Sequence, residues 1–380
     1  MIATEPLLPD IPAQHDGGAT ILEIEQQPDA WREVARLIDE RATSFVGGLV
    51  ARPDLRVILT GAGSSAFAGH IVAPALRHHL NRRVDAIATT SIVSNPHDHL
   101  ERETPTLVVS FGRSGNSPES VATTRLVDEL VDDAWHLILT CDGSGELSRT
   151  HSDRDDSLVV LMPERTNDTG FAMTSSLTSM MLAALLLLGP ADHRSVEALA
   201  TAAEAMSARR DDIRALARTK RNRFVYLGSG ALEGLARESA LKLLELTAGE
   251  VVSYFDSSLG FRHGPKSVLD ADTLAVVYLS TDAYTQQYDR DIVTEIRGQL
   301  GDDAVVAIGP DGAADAAWTM PVAGLGDSLA AVAYLVFAQY LALFTSVEWG
   351  KTPDNPFPSG EVNRVVEGVT IHPLPTEGRA

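Results

Sequence analysis

Apolar positions along the chain follow two rhythms that take turns. Short, nearly continuous apolar runs at Arg56–Thr60, Val84–Thr89, Thr106–Ser110, His136–Thr140 and Ser157–Met162 predict buried strands, and patterns with a helical repeat lie between most of them. Upstream, a helical pattern runs from Ile21 to Val50 through Trp31, Val34, Leu37 and Ile38, whereas residues 1–20 have no periodicity and read as a loose arm. Strands alternating with helices over this length predict an α/β protein whose mostly parallel sheet is covered on both faces.

The pattern then begins again. Phe224-Val-Tyr-Leu-Gly228-Ser-Gly230 echoes Val57-Ile-Leu-Thr-Gly61-Ala-Gly63 at an offset of 167 residues, and Thr273-Leu-Ala-Val-Val echoes Thr106-Leu-Val-Val at the same offset. Val305-Val-Ala-Ile-Gly-Pro-Asp311-Gly312 answers Leu137-Ile-Leu-Thr-Cys-Asp142-Gly143. A duplicated unit follows from these echoes. It divides the chain into an N-terminal arm and helix (1–44), a first doubly wound domain (45–190), a helical connection (191–220), a second such domain (221–350) and a tail (351–380). Ligands are expected beyond the carboxyl ends of the strands. The apolar run Leu329–Phe344 is interrupted by Gln339 and is short for a membrane span, so it predicts a buried helix. The tail, Thr352-Pro-Asp-Asn-Pro-Phe-Pro-Ser-Gly360-Glu-Val-Asn363-Arg364, is too specifically polar for a linker; it either wraps the surface or closes over a site.

Composition narrows the function. With 44% hydrophobic and 22% charged residues and mean hydropathy near zero, the chain is of the soluble globular class. A formal net charge of −21 argues against nucleic acid or an acidic membrane as partner. The single cysteine, Cys141, excludes an intrachain disulfide, and no secretory signal is evident in Met-Ile-Ala-Thr-Glu-Pro. A cytoplasmic protein is expected.

Two loops offer anion chemistry. Ser110-Phe-Gly-Arg113-Ser114-Gly-Asn116-Ser117-Pro118-Glu-Ser120 joins a strand to a helix start, where free backbone N–H groups, the helix dipole, hydroxyls and a guanidinium converge. A plain turn with Ser117 as N-cap and Pro118 after it explains only part of that segment. Gly61-Ala-Gly63-Ser64-Ser65-Ala66 formally fits a dinucleotide fingerprint, but the acidic ribose hook is misplaced: Asp85 opens the second strand, and Thr89 and Thr90 close it. Ser64 and Ser65 suit a compact phosphate instead.

The second half offers acid–base groups. Ala231–Gly249 reads as a helix in which Glu238, Lys242 and Glu245, at i, i+4 and i+7, share a face. A solvated Glu–Lys pair would explain that spacing alone. Downstream, Asp256-Ser-Ser-Leu-Gly-Phe-Arg262-His263-Gly-Pro-Lys266 presents a histidine able to titrate near working pH. His97-Asp98-His99 and His78-His79 lack the further ligands a metal site needs, and no G-x-S-x-G elbow occurs.

Together these runs resemble the duplicated sugar isomerase (SIS) domain family, in the branch of galactosamine-6-phosphate deaminase/isomerases, also called tagatose-6-phosphate ketose/aldose isomerases. Phe171-Ala-Met-Thr174-Ser175-Ser176 and Gly360-Glu-Val-Asn363-Arg364-Val-Val366 extend the likeness, which spans Ile21 to the C-terminus. The resemblance implies tandem SIS domains in which Gly63, Ser64, Ser65, Arg113, Ser114 and Ser117 take a sugar 6-phosphate. It implies that Glu245 is the carboxylate base between C1 and C2, with Glu238, Lys242 and Lys266 in support. Asn116, Thr174, Ser175, Asn363 and Arg364 stand as sugar contacts. His263 would open the sugar ring, supplied by the neighbouring subunit of a homodimer or larger assembly. The related amino-transferring synthase has a Schiff-base lysine near its C-terminus. Here no lysine follows Lys351, Glu367 stands near that position, and no glutamine-hydrolysing domain is present. Proton transfer of this kind needs a partly buried glutamate of raised pKa and a histidine, and no metal or redox cofactor.

Overall fold

The computed structural model describes residues 18–366 and 368–375, so most of the arm expected over residues 1–20 lies outside the described residues, as does Glu367, while Gly18–Thr20 open a helix instead. Three helices come first: α1 (Gly18–Glu25), α2 (Gln27–Leu37) and α3 (Glu40–Val50). The first sheet unit comprises β1 (Arg56–Thr60), α4 (Ser64–Leu80), β2 (Val84–Ala86), α5 (Thr89–Ser94), α6 (Pro96–His99), β3 (Thr106–Gly112), α7 (Pro118–Leu130), β4 (Ala134–Thr140), α8 (Glu146–His151), β5 (Ser157–Leu161) and α9 (Ser175–Leu188). Helices α10 (His193–Ser207) and α11 (Arg210–Ala217) connect it to the second. That unit comprises β6 (Arg223–Leu227), α12 (Ala231–Leu246), β7 (Val252–Asp256), β8 (Thr273–Tyr278), α13 (Ala283–Leu300), β9 (Val305–Pro310), β10 (Trp318–Met320) and α14 (Asp327–Glu348).

Both sheets are parallel throughout and share one order. The first runs β2-β1-β3-β4-β5; the second, β10-β9-β8-β6-β7, is the same arrangement read from its other edge. The register pairs Val57 with Leu107 in one sheet and Phe224 with Leu274 in the other. Successive side chains on a strand point to opposite faces, which explains why the runs are apolar without alternating. Val57 and Leu59 enter the main core while Ile58 joins a smaller cluster with Val108 and Val127. Phe224 and Tyr226 likewise face the main core, with Val225 and Leu227 turned toward Ile292, Val293 and Ile296 of α13.

The main core is continuous between the sheets, with α4, α9, α12 and α14 contributing together. Every residue of Ser328–Ser346 in α14 is buried, as expected for a core helix. Three expectations need adjustment. β2 stops at Ala86, because the Thr89 amide donates to the Gly61 carbonyl (2.8 Å) and the chain turns into α5. β7 and β10 were not anticipated: β7 is a half-exposed edge strand, and β10 has three residues.

Candidate active site

At the carboxyl end of β1 the chain turns through Gly63, with φ of 56°, into α4. That left-handed conformation is cheap only for glycine, and it leaves the first amides of α4 without a side-chain cap. At the end of β3, residues Gly112–Ser117 lead into α7. Ser117 occupies the N-cap position before Pro118, but its hydroxyl donates to Glu119 Oε2 (2.9 Å) rather than capping the helix. Two helix starts, each without a side-chain cap, therefore open onto one cavity of about 230 Å³. Gly63, Ser64, Ser65, Arg113, Ser114 and Ser117 line it.

Arg113 is 7% exposed and reaches only backbone carbonyls, those of Gly170 (3.5 Å), Phe171 (3.4 Å) and Arg364 (3.4 Å). Among the described residues no carboxylate lies within ion-pair distance of it. Burial pushes its pKa down, and the neighbouring Arg364 guanidinium pushes the same way. Two adjacent cations with no carboxylate partner among the described residues make this wall locally positive in an otherwise acidic protein.

The opposite wall comes from α12, whose apolar face (Leu232, Leu235, Leu243, Leu246) enters the core. The helix closes where Ala248 and Gly249 adopt positive φ and the Gly249 amide donates to the Leu244 carbonyl (2.9 Å). Its polar stripe does not lie in water. Glu238 is fully buried, Lys242 is 1% exposed, and the Glu245 side chain is 25% exposed at the cavity. Lys242 Nζ donates to Glu245 Oε2 (2.5 Å) and stands 3.5 Å from Glu238 Oε1. Burial pushes the Glu238 carboxyl up to about 7; the Glu245 charge adds to this, and Lys242 opposes it. Burial works against the Lys242 ammonium, yet the two carboxylates hold its pKa above the ordinary value. The stripe thus runs from the buried Glu238 and Lys242 to Glu245 at the cavity, with a carboxyl able to titrate near neutrality, and is not a solvated surface pair.

Asn363 and Arg364 of the tail line the cavity, together with Val362, Val365 and Val366. Phe111, Phe171 and Met173 also line it, and nothing in the local sequence pattern singled them out. Asn116 instead accepts from the Glu146 amide through Oδ1 (2.9 Å). Thr174 and Ser175 are buried beside Asp168, which accepts from the Thr174 amide (2.8 Å) and the Ser175 hydroxyl (2.5 Å). These three residues do not line the cavity. Lys266 pairs with Glu295, as does Arg262 (2.7 Å), and His263 is exposed after a short 3-10 turn; neither His263 nor Lys266 lines the cavity of its own chain.

The SIS domain family matches residues 50–189. A Streptomyces coelicolor protein, provisionally named as the D-galactosamine-6-phosphate deaminase AgaS, is 51% identical over 378 residues, covering 96% of this chain and 98% of its own. D-galactosamine-6-phosphate deaminase AgaS of Escherichia coli is 43% identical over 363 residues, covering 92% and 94%. The chain belongs to the SIS domain family. In fold it is similar to the crystal structure of tagatose-6-phosphate ketose/aldose isomerase from Escherichia coli, with a TM-score of 0.87, 40% identity and coverage of 94% and 97%. The match to the SIS domain takes in the first cradle and ends within the Leu188–Ala191 turn. The acid–base stripe on α12 lies beyond it, within the full-length likeness to the AgaS proteins.

Proposed function

We propose that the protein is a phosphosugar deaminase/isomerase acting on a hexosamine 6-phosphate, with galactosamine 6-phosphate favoured and tagatose 6-phosphate and ammonia as products. The observation that carries this reading is the cavity itself, where two cations lacking carboxylate partners among the described residues and two open helix starts face the Glu238–Lys242–Glu245 group. The phosphate docks on Ser64, Ser65, Arg113, Ser114 and Ser117 and orients the far end of the substrate. After ring opening, Glu245 takes the proton from C2 and returns it to C1. The imine left at C2 then adds water and expels ammonia. Lys242 holds the Glu245 carboxylate in place, and Glu238 exchanges a proton within this group near neutral pH. His263 serves ring opening from the neighbouring subunit of a homodimer, which accounts for its exposure in the single chain. The two sheet units are read as a tandem duplication of one SIS unit.

A second reading is supported by the name of the Escherichia coli structure: aldose–ketose isomerisation of a 6-phosphosugar without loss of nitrogen. Ammonia release measured across phosphorylated hexosamines and hexoses separates the two. Ammonia from galactosamine 6-phosphate, without turnover of the matching aldose phosphate, is the expected result. Ketose formation from an aldose phosphate with no ammonia from any hexosamine phosphate would replace deamination by isomerisation.

A further inference from the structure

Helix α1 belongs to neither sheet, yet it meets both the tail that carries Arg364 and the 168–171 loop whose carbonyls hold Arg113. Its N-terminus is capped from the far end of the chain: Asp354 accepts from the Ala19 amide (3.0 Å), the Thr20 amide (2.8 Å) and the Thr20 hydroxyl (2.6 Å). One turn on, the buried Glu23 carboxylate accepts from the Thr169 amide (2.5 Å), the Thr169 hydroxyl (3.0 Å) and the Gly170 amide (3.0 Å). Gly170 sits where the three meet. A β-carbon there would fall 2.7 Å from Thr20 Oγ1 and 2.8 Å from Glu23 Oε2, so any larger residue would push these side chains from their present places.

From this joint the bonds lead directly to the arginines. The carbonyls of Gly170 and Phe171 accept from Arg113, the Asp168 carbonyl accepts from Arg364 Nη2, and the Arg364 carbonyl accepts from Arg113 (3.4 Å). Phe357 of the tail packs on Phe171 of the loop, with ring centroids 5.2 Å apart. Both guanidinium groups are thus held by neutral carbonyls, which fixes their position without neutralising their charge. Carboxylates do appear in this network, but one step back, where they grip backbone rather than arginine.

We propose that Glu23 and Asp354 are positioning residues that act through α1 to lock the 168–171 loop and the 352–366 tail together, holding Arg113 and Arg364 as a paired anion clamp. The proposal rests on the reading of the cavity as a phosphate site. Glu23→Ala and Asp354→Ala each weaken binding of inorganic phosphate and raise KM for the phosphosugar about tenfold, with kcat within about twofold. Glu23→Gln keeps an acceptor oxygen and recovers most of the loss. Hydrogen exchange on the full-length protein supplies a readout independent of any ligand. In the alanine variants, exchange accelerates in both 168–171 and 362–366, while β1 and β3 keep their protection.

Unchanged phosphate affinity in folded alanine variants overturns the clamp, as does acceleration confined to the segment next to the substitution. A loss of thermal stability with KM unchanged also overturns it, assigning the two carboxylates to structure alone. If the unmodified protein binds neither phosphate nor phosphosugar, the phosphate reading fails, and hydrogen exchange still decides whether α1 couples the two segments.

Discussion

The two sheet units build the same cradle and use it oppositely. Gly63 and Gly230 follow the first strand of each unit with nearly equal backbone angles, φ/ψ of 56°/−129° and 58°/−119°, and each leads into a helix with no side-chain cap. In the first unit the donors around that turn face a cavity. In the second the Gly230 turn also lines a cavity, of about 430 Å³, but Ser229 and the neighbouring loops spend their donors on the protein's own carboxylates, so this cradle is closed from within. Asp289, fully buried, accepts from the Ser229 hydroxyl (2.6 Å), the Ser258 hydroxyl (2.5 Å) and the Ser280 amide (2.9 Å). Asp327 accepts from the Ser280 hydroxyl (2.6 Å) and from the Thr281 amide and hydroxyl (both 2.7 Å). The glycine turn is therefore common to both units, and in the second the hydroxyls and amides around it are taken up by Asp289 and Asp327. The closed cradle still serves the open one, since it anchors the helix that carries Glu245.

The sharpest way to break the comparison is at the stripe on α12. Glu245→Gln lowers kcat about a thousandfold while leaving phosphosugar affinity intact, as calorimetry on the variant will register. A variant turning over at near-normal rate would remove Glu245 from the chemistry. Next in size is the closed cradle. Asp289→Ala strands two hydroxyls and an amide and costs about 3 kcal/mol of unfolding free energy, while stoichiometry stays at one phosphosugar per chain. A second binding event in that variant would show that the two cradles differ only by their plug.

Glu238 gives a pH signature of comparable size. Its folded pKa of about 7 lies above the ordinary 4.5, so its contribution to stability is complete below pH 4.5 and is lost as pH rises through 7. At about 1.4 kcal/mol per pKa unit, this amounts to about 3 kcal/mol, and Glu238→Gln flattens the unfolding free energy across that window. Equal pH slopes in the two proteins would place the titration elsewhere. Smallest is the open cradle: Arg113→Ala combined with Ser114→Ala raises KM about thirtyfold with little change in kcat. Unaltered substrate affinity would make the loop structural.

What the sequence revealed follows from how far each signal reaches along the chain. The Gly61 and Gly228 turns, the Arg113 loop and the i, i+4, i+7 stripe on α12 are local patterns, and the structure brings the first turn, that loop and the stripe to one cavity. The stripe's burial was not legible, because Glu238 and Lys242 look like a solvated pair until their helix is packed between the units. β7 escaped notice because an edge strand of half-exposed residues lacks a strong apolar pattern. Glu23 and Asp354 carry no local mark at all. Glu23 bonds a loop 146 residues away, and Asp354 caps Thr20 from 334 residues away.

That last separation has a consequence for how the molecule comes into being. The cavity needs Ser64 and Arg113 from the first unit, Glu245 from the second and Arg364 from the tail, and the core between the sheets needs α14. A nascent chain still on the ribosome can form β1–β5 with their local helices, but it has no finished site and leaves one face of that sheet uncovered. A complete cavity therefore arrives late, when the tail segment around Asp354 folds back onto α1.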